Sequence, residues 1–534
     1  MTESIYPKSR VNTMFDFSSR TPLNRLLLVL VAGVFIAARL WRLTTNCLWF
    51  DEIFSVHAAE HAWGKLLHFV AADLVHPPLF YLLLKVWIGI GGESLLWLRL
   101  FPVLTSIAAI PPFILLFREL SLSGGKTTLA LFLLAVNGYL IKYGQEVRMY
   151  SLLFLFSVCS LWLFVSFIRN LPTSRRRLIA LTAINLLLVY THYYGWLFVA
   201  LEGLGLFILK RSELKSFLVG GAALVVAYLP WIFELARVQT EAKRLGQNIG
   251  WIPRPRIQQL AQLWILLNQP FLFDQSNTEN FTNPFTNCLT LILFGVPLLI
   301  FCWRLCKRNQ EFGANQGLLS ILLIFAFAPA VLIAFLSWTL PYSVWGTRHL
   351  IIATPAYCII VAIAQTSLHP YWTRVALALI FACWVLVAGF YSLVRPAPVF
   401  IWCRWEQLGQ QLMQQKPASS KPVNVYAFED LVGYHLWFTL NKSTGAKFNI
   451  SVIKNLPGTH EDQAYFLPRD FDDVPVQEAI VPVTDEIWLA FRASAWDESQ
   501  PPLSSFVSAG YQSGRVLTMS AQGEQAFLVQ LLRK

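Results

Sequence analysis

Charge is what this sequence has least of. Only 13% of its 534 residues are Asp, Glu, Lys or Arg, while 56% are hydrophobic. An ordinary soluble domain is nearer a quarter charged. The shortfall excludes a globular protein with a large core and predicts a polytopic membrane protein. The formal net charge of +12 is no nucleic-acid footprint, because the basic residues gather in short loops between apolar runs, as membrane topology requires. Cysteine is scarce and scattered (Cys47, Cys159, Cys288, Cys302, Cys306, Cys358, Cys383, Cys403), and no pair has zinc-finger spacing. Cys302 and Cys306, one helical turn apart, read as packing. The soluble tail holds at most Cys403 and so cannot staple itself with disulfides. There is no phosphate-loop or dinucleotide glycine pattern, no internal repeat, and no small-residue cleavage site after the first apolar run, which reads as a retained anchor.

What is present is a series of runs near the roughly 20 apolar residues that a helix needs to cross hydrocarbon. Eleven spans are expected: Arg25–Leu43, Leu95–Phe117, Thr127–Ile141, Ser151–Phe167, Leu178–Tyr190, Gly195–Leu209, Phe217–Phe233, Asn287–Trp303, Leu318–Leu340, Leu350–Gln365 and Val375–Val394. Lys8, Arg10 and Arg20 precede the first and Arg25 opens it, which puts the N-terminus in the cytoplasm. With eleven spans, the basic loops at Arg118 and Lys126, Arg169 to Arg177, Lys210 to Lys215, and Arg304 to Arg308 all fall on that side. Counting Leu79–Ile90 as a twelfth would reverse the signs and put Arg175, Arg176 and Arg177 outside. The expected architecture is therefore an all-α polytopic membrane domain over residues 1–396, with a soluble α/β domain over 397–534 on the outer side.

The first outer loop, residues 47–94, should hold interfacial helices. Ile53–Val70 is amphipathic, with Val56, Trp63, Leu66, Leu67 and Val70 at helical spacing. His76-Pro77-Pro78 then breaks the chain, and the short run Leu79–Ile90, which contains Lys85, reads as a second interfacial or half-inserted helix. A long outer loop, residues 235–286, has the length and position of a mobile lid. In the tail, Val423–Phe428, Phe448–Ile453, Ile487–Phe491 and Ala526–Leu531 read as strands; Leu431–Leu440 and Pro502–Ala509 read as helices.

This topology collects reactive side chains on the outer face: Asp51, Glu52, His57, His61, His76, Lys85, Lys142, Glu146, Arg148, Tyr150, His192, Tyr193, Tyr194, Arg348 and His349. The cytoplasmic loops carry mostly Lys and Arg, which topology alone explains; the outer loops carry the carboxylates, imidazoles and phenols. Carboxylates at a membrane edge are costly and are functional candidates by default. A carboxylate beside a lipid-facing pocket can act as general base on a hydroxyl. Cations from other loops can hold a phosphate and stabilise charge that grows as it leaves. Together these suit transfer of a group from a lipid phosphate to an acceptor hydroxyl.

Leu48-Trp49-Phe50-Asp51-Glu52, then His76-Pro77-Pro78-Leu79, then Gln145-Glu146-Val147-Arg148-Met149-Tyr150, then Arg348-His349 before an apolar run resembles the GT-C membrane glycosyltransferases. The bacterial branch similar to protein O-mannosyltransferases and lipid A aminoarabinose transferases matches best, over roughly residues 26–365. The resemblance implies a polyprenyl-phosphate sugar as donor, inversion at the anomeric carbon, and a glycan, lipid or protein acceptor. It implies Asp51 as general base with Glu52 beside it as the catalytic pair, His76 shaping the cavity, Arg148 on the donor phosphate, and Arg348 on the phosphate or head group. Lys85, Lys142, Glu146, Tyr150, His192, Tyr193 and His349 are the further substrate and donor-phosphate candidates. No cofactor is required by the motifs, and a divalent metal is compatible but not indicated. The implied setting is a bacterial plasma membrane with the site on its outer face.

Plainer readings stand beside these. Asp51 could cap a helix beginning near Glu52. Arg148 and Tyr150 could be interfacial anchors, Lys142 could simply snorkel, and Thr191-His192-Tyr193-Tyr194 could be an aromatic belt. His57 and His61, one turn apart, could bind a metal with Asp51, but read as polar-face residues. Glu202, in mid-span, could be paired structurally or line a cavity. A transporter or flippase for a lipid-linked sugar is the alternative function, although the repeated halves common in transporters are absent.

Overall fold

The computed structural model describes residues 22–170, 175–238, 249–271, 283–307, 316–397, 399–415, 422–442, 447–462, 466–469, 471–478, 484–521 and 523–533. Ten of the eleven expected spans fall largely on continuous helix; Thr127–Ile141 is broken at Asn137, which separates Gly124–Val136 from the short helix Gly138–Tyr143. Among the described residues, eight helical segments are long and apolar enough to cross a membrane: Pro22–Leu40, Leu95–Glu119, Tyr150–Arg169, Arg211–Val238, Pro284–Cys306, Gln316–Thr339, Thr347–Thr366 and Tyr371–Val394. The other three expected spans fall on shorter helices, Gly124–Val136, Arg175–Thr191 and Tyr194–Leu209. The chain is thus an integral multi-pass membrane protein.

Helix α1 (Pro22–Leu40) leads into the first loop between spans, which folds as α2 (Phe50–Glu60), α3 (Trp63–Asp73) and α4 (Leu79–Gly91). The break between α2 and α3 falls at His61–Ala62, so the single amphipathic stretch Ile53–Val70 is two helices. Leu74 ends α3 in the left-handed region (φ 62°), and Pro77-Pro78 then lie just before α4, with Pro78 as its N-cap, where a missing N–H breaks no helical hydrogen bond. The burial of α2 is nearly complete, with Glu52 to Ala59 all buried.

At the opposite ends of the spans the basic loops lie side by side. Arg169 donates to Ser121 Oγ (2.9 Å), Asn170 to Glu119 (3.4 Å), and Arg304 to the Ser367 carbonyl (2.7 Å). In mid-membrane, Glu202 accepts from Ser160 Oγ and Asn185 Nδ2, both at 2.5 Å, and is fully buried. It is interhelical glue, the structural one of its two readings, since a polar group in hydrocarbon must find its partner inside the protein.

The tail carries a six-stranded sheet: β1 (Val423–Ala427), β2 (Phe448–Lys454), β3 (Val476–Glu478), β4 (Glu486–Ala493), β5 (Tyr511–Ala521) and β6 (Glu524–Arg533), in the order β3-β2-β1-β4-β6-β5. The first four strands of that order are parallel; β6 and β5 close the edge antiparallel. Val425 pairs with both Ile450 and Trp488, so β1 is central and apolar. Sequence reading finds the four apolar strands but not β3, β5 or the amphipathic helix Ile401–Gln415. Strand β5 is an edge strand with mostly exposed polar residues, which an apolar-run criterion passes over.

The tail is fastened to the first outer loop. Cys47 and Cys403 form a disulfide across 356 positions. The tail does not staple itself, as expected, but its one cysteine staples it to the membrane domain. The helix Asp430–Leu440 then lies on α2, with Tyr434 edge-on to Phe50 at 5.6 Å and Lys442 bridging Glu60 (3.5 Å) and Glu93 (2.5 Å).

Candidate active site

Helix α2 opens with Trp49 as its N-cap. Glu52, three residues on, reaches back so that Oε2 accepts from the Trp49 N–H at 3.1 Å, one half of a capping box. The same Oε2 accepts from Arg99 Nη2 at 3.0 Å, and Oε1 accepts from the Val147 N–H at 2.9 Å. Glu52 is completely buried. Both oxygens are therefore committed, and they tie the start of α2 to α5 (Leu95–Ala108) and to the turn that carries Arg148. The cap is supplied by Glu52, which leaves the Asp51 side chain free for other partners.

Asp51 keeps 15% of its side chain exposed, and its Oδ2 accepts from Arg348 Nη1 at 2.8 Å. Arg348 is held by its backbone: Tyr139 OH donates to the Thr347 and Arg348 carbonyls at 2.7 and 3.3 Å. Its guanidinium stands 5.7 Å from the Trp49 ring centre and 5.8 Å from that of Tyr150. Arg148, only 3% exposed, sits behind the same carboxylate residue. Nη1 donates to the Asp51 carbonyl (3.2 Å), Ser55 Oγ (3.3 Å) and Tyr81 OH (3.2 Å), and Nη2 donates to His76 Nδ1 (3.3 Å). The four sequence motifs thus meet in one place.

His76, His192 and His349 complete the cluster. Their ring centres are 5.4 Å (His76 to His192), 5.8 Å (His76 to His349) and 4.3 Å (His192 to His349) apart. One ring nitrogen from each lies within 4.8 Å of the others, the spacing of a set that could share an ion. A Cβ at Gly346 would come within 2.4 Å of His349 Nδ1, so a larger residue there would displace that ring. Tyr150 packs on His349 at 5.8 Å.

The remaining candidates divide. Glu146 approaches Lys142 at 4.0 Å; burial pushes its carboxyl up to about 7, with Lys142 opposing. Tyr193 OH accepts from Trp231 Nε1 at 3.4 Å. Lys85 is used elsewhere: it donates to the Ala59 carbonyl at 3.1 Å and lies over Trp63. His57 and His61 do not form the metal set considered for them. His57 Nδ1 meets Tyr434 OH at 2.9 Å, while His61 Nδ1 donates to the His57 carbonyl at 2.8 Å. His57 docks the tail, packing on Tyr434, Trp437 and Phe471, while His61 stacks on Phe69.

Asp73, at the end of α3, is a site residue that sequence reading misses, as are Ser55 and Tyr81, which accept from Arg148. It lies 3.9 Å from His76 Nδ1. Burial pushes its carboxyl up to about 6, with Arg148 and the tail's Arg469 pulling it down and Asp51 pushing it up. The tail therefore reaches the site electrostatically through Arg469, beside Phe466, which packs on Phe50 at 5.7 Å.

No family model matches the chain and no curated protein matches it, but solved structures do. ArnT from Cupriavidus metallidurans bound to undecaprenyl phosphate superposes with a TM-score of 0.55 at 13% identity, over 95% of this chain and 97% of its own; its apo state gives 0.52. The oligosaccharyltransferase AglB from Archaeoglobus fulgidus, in complex with an inhibitory peptide and a dolichol-phosphate, gives 0.50 at 14% identity, over 79% of this chain. This chain spans 64% of AglB, just under two thirds of its length. At such identities the likeness is one of fold, and the fold of this chain is the GT-C fold expected of it.

Proposed function

We propose that the protein is an integral-membrane glycosyltransferase that moves a sugar from a polyprenyl-phosphate donor to an acceptor hydroxyl. The observation that carries this reading is the convergence of Asp51, Arg148 and Arg348, from three distant segments, at one end of the membrane domain. Structures of like fold hold dolichol-phosphate or undecaprenyl phosphate, which supports a lipid phosphate as the ligand.

In this mechanism Asp51 takes the proton of the acceptor hydroxyl as its oxygen attacks the anomeric carbon. The bond from that carbon to the phosphate oxygen breaks, the electron pair leaves with the phosphate, and attack from the opposite face inverts the centre. Arg148 and Arg348 hold the growing phosphate charge in a site where burial strengthens each interaction. Arg348 also fixes the Asp51 rotamer. Glu52, with both oxygens committed, is a positioning residue: it holds Asp51 and the Arg148 turn in register. The acceptor is a protein, lipid or envelope glycan, and in this reading the chemistry lies on the outer face of a bacterial plasma membrane. The Cys47–Cys403 disulfide supports that side, since disulfides persist in oxidising compartments.

The test is binding of undecaprenyl phosphate to the purified protein in nanodiscs. Wild type should bind, and Arg148→Ala should bind at least about tenfold more weakly, as expected when a hydrogen bond to a charged group is removed. Equal binding by the two would remove the donor assignment.

A further inference from the structure

The histidine cluster is spaced for a metal, but its hydrogen bonding points the other way. A zinc-type site needs a bare ring nitrogen facing the ion, with the other nitrogen donating its hydrogen to a carbonyl or carboxylate behind it. Here His192 Nδ1 accepts from the Tyr194 N–H at 3.0 Å, and His76 Nδ1 accepts from the Arg148 guanidinium at 3.3 Å. Arg148 has no lone pair to offer, and neither does a backbone N–H. In both rings the hydrogen must therefore sit on Nε2. The carboxylate nearest His76 Nδ1, Asp73, is 3.9 Å away, beyond hydrogen-bond reach.

The atoms left unpartnered agree. Nε2 of His76, His192 and His349, the Tyr150 hydroxyl and Arg148 Nε are all buried with no hydrogen-bond partner. Four of these atoms are donors (Nε2 of His76 and His192, the Tyr150 hydroxyl and Arg148 Nε), and His349 Nε2 becomes a fifth when its hydrogen sits there; buried donors are costly to leave without acceptors. The charges acting on all three rings are the Arg148 and Arg348 guanidiniums, which repel a cation and attract an anion.

We infer that His76, His192 and His349, with Tyr150 and Arg148, form a neutral-imidazole cradle for phosphate oxygens rather than a divalent-metal site. The inference deepens the function proposed above and rests on its lipid-phosphate donor. The imidazoles supply directed N–H donors without adding charge, and the two arginines supply the charge.

Glutamine separates the two kinds of ligand, because its side-chain amide donates where Nε2–H does but is a poor zinc ligand. Full-length protein in nanodiscs is titrated with undecaprenyl phosphate, with inorganic phosphate and with Zn²⁺, for wild type, His192→Gln and His192→Leu, each checked by thermal unfolding. The expected result is phosphate binding retained within about threefold in His192→Gln, weakened about tenfold or more in His192→Leu, and unaffected by EDTA in wild type. Stoichiometric zinc in wild type that both variants lose would overturn the cradle. So would a folded His192→Leu that binds undecaprenyl phosphate like wild type, which leaves the donor reading intact. Inorganic phosphate bound by wild type and lost in His192→Leu, with no binding of the lipid, supports the cradle and removes the donor reading. Binding of neither phosphate removes both.

Discussion

Arg348 donates to the Asp51 carboxylate at 2.8 Å across 297 positions of chain. The proposed base is thus held by one of the proposed phosphate ligands, so the two halves of the chemistry are coupled. Arg348→Ala should lower kcat/KM for transfer by about 100-fold, the scale of losing a charge-stabilising donor. Arg348→Lys should recover only part of it, because an ammonium does not reproduce the guanidinium fork. Steady-state transfer with the two variants checks this; equal rates for the two would show that the fork is not used.

Glu52 should behave differently from its neighbour. Glu52→Gln breaks an ion pair with Arg99 in which Glu52 is 1% exposed, and leaving one buried charge uncompensated costs about 3–5 kcal/mol. The variant should unfold at clearly lower temperature, whereas Asp51→Asn should not. A Glu52→Gln protein that unfolds like wild type yet transfers nothing would instead make Glu52 catalytic.

Glu146 gives a pH signature. Burial raises its carboxyl from 4.5 to about 7 in the folded protein. Between those values the folded state holds a proton that the unfolded chain has released, so stability falls as pH rises from 4.5 to about 7 and levels off above. Glu146→Gln should match wild type in thermal unfolding at pH 4 and exceed it at pH 8. No gain at pH 8 would mean that Lys142, 4.0 Å away, already neutralises the carboxylate.

Reduction of Cys47–Cys403 should loosen the tail. The bond closes a loop of 356 positions, and removing such a bridge costs on the order of 2–5 kcal/mol. Cys403→Ser should make the tail more sensitive to limited proteolysis and lower the unfolding temperature. A disulfide found reduced in membranes from intact cells would argue against the outer side.

Much of this was legible in the sequence because hydrocarbon forces it. Apolar runs such as Tyr150–Arg169 have no other place to go, and Asp51, Arg148 and Arg348 stand out because charge at a membrane edge is costly. What stayed hidden is what local spacing does not encode. His76, His192 and His349 are each visible as polar outer residues, but nothing near them in sequence says that their rings meet. Asp73 looks like the polar end of an amphipathic helix, and its place in the site depends on His76, 3.9 Å away, and on the charge of Arg148. Lys85 shows the reverse: a lysine in a short apolar run reads as a site residue, while the fold spends it on the Ala59 carbonyl.

The most direct test is transfer from radiolabelled polyprenyl-phosphate sugars, assayed in membranes containing wild type or Asp51→Asn with donor binding measured in parallel. The account predicts that Asp51→Asn inserts, folds and binds donor, yet releases no polyprenyl phosphate and labels no acceptor. Release and labelling at the wild-type rate would contradict it.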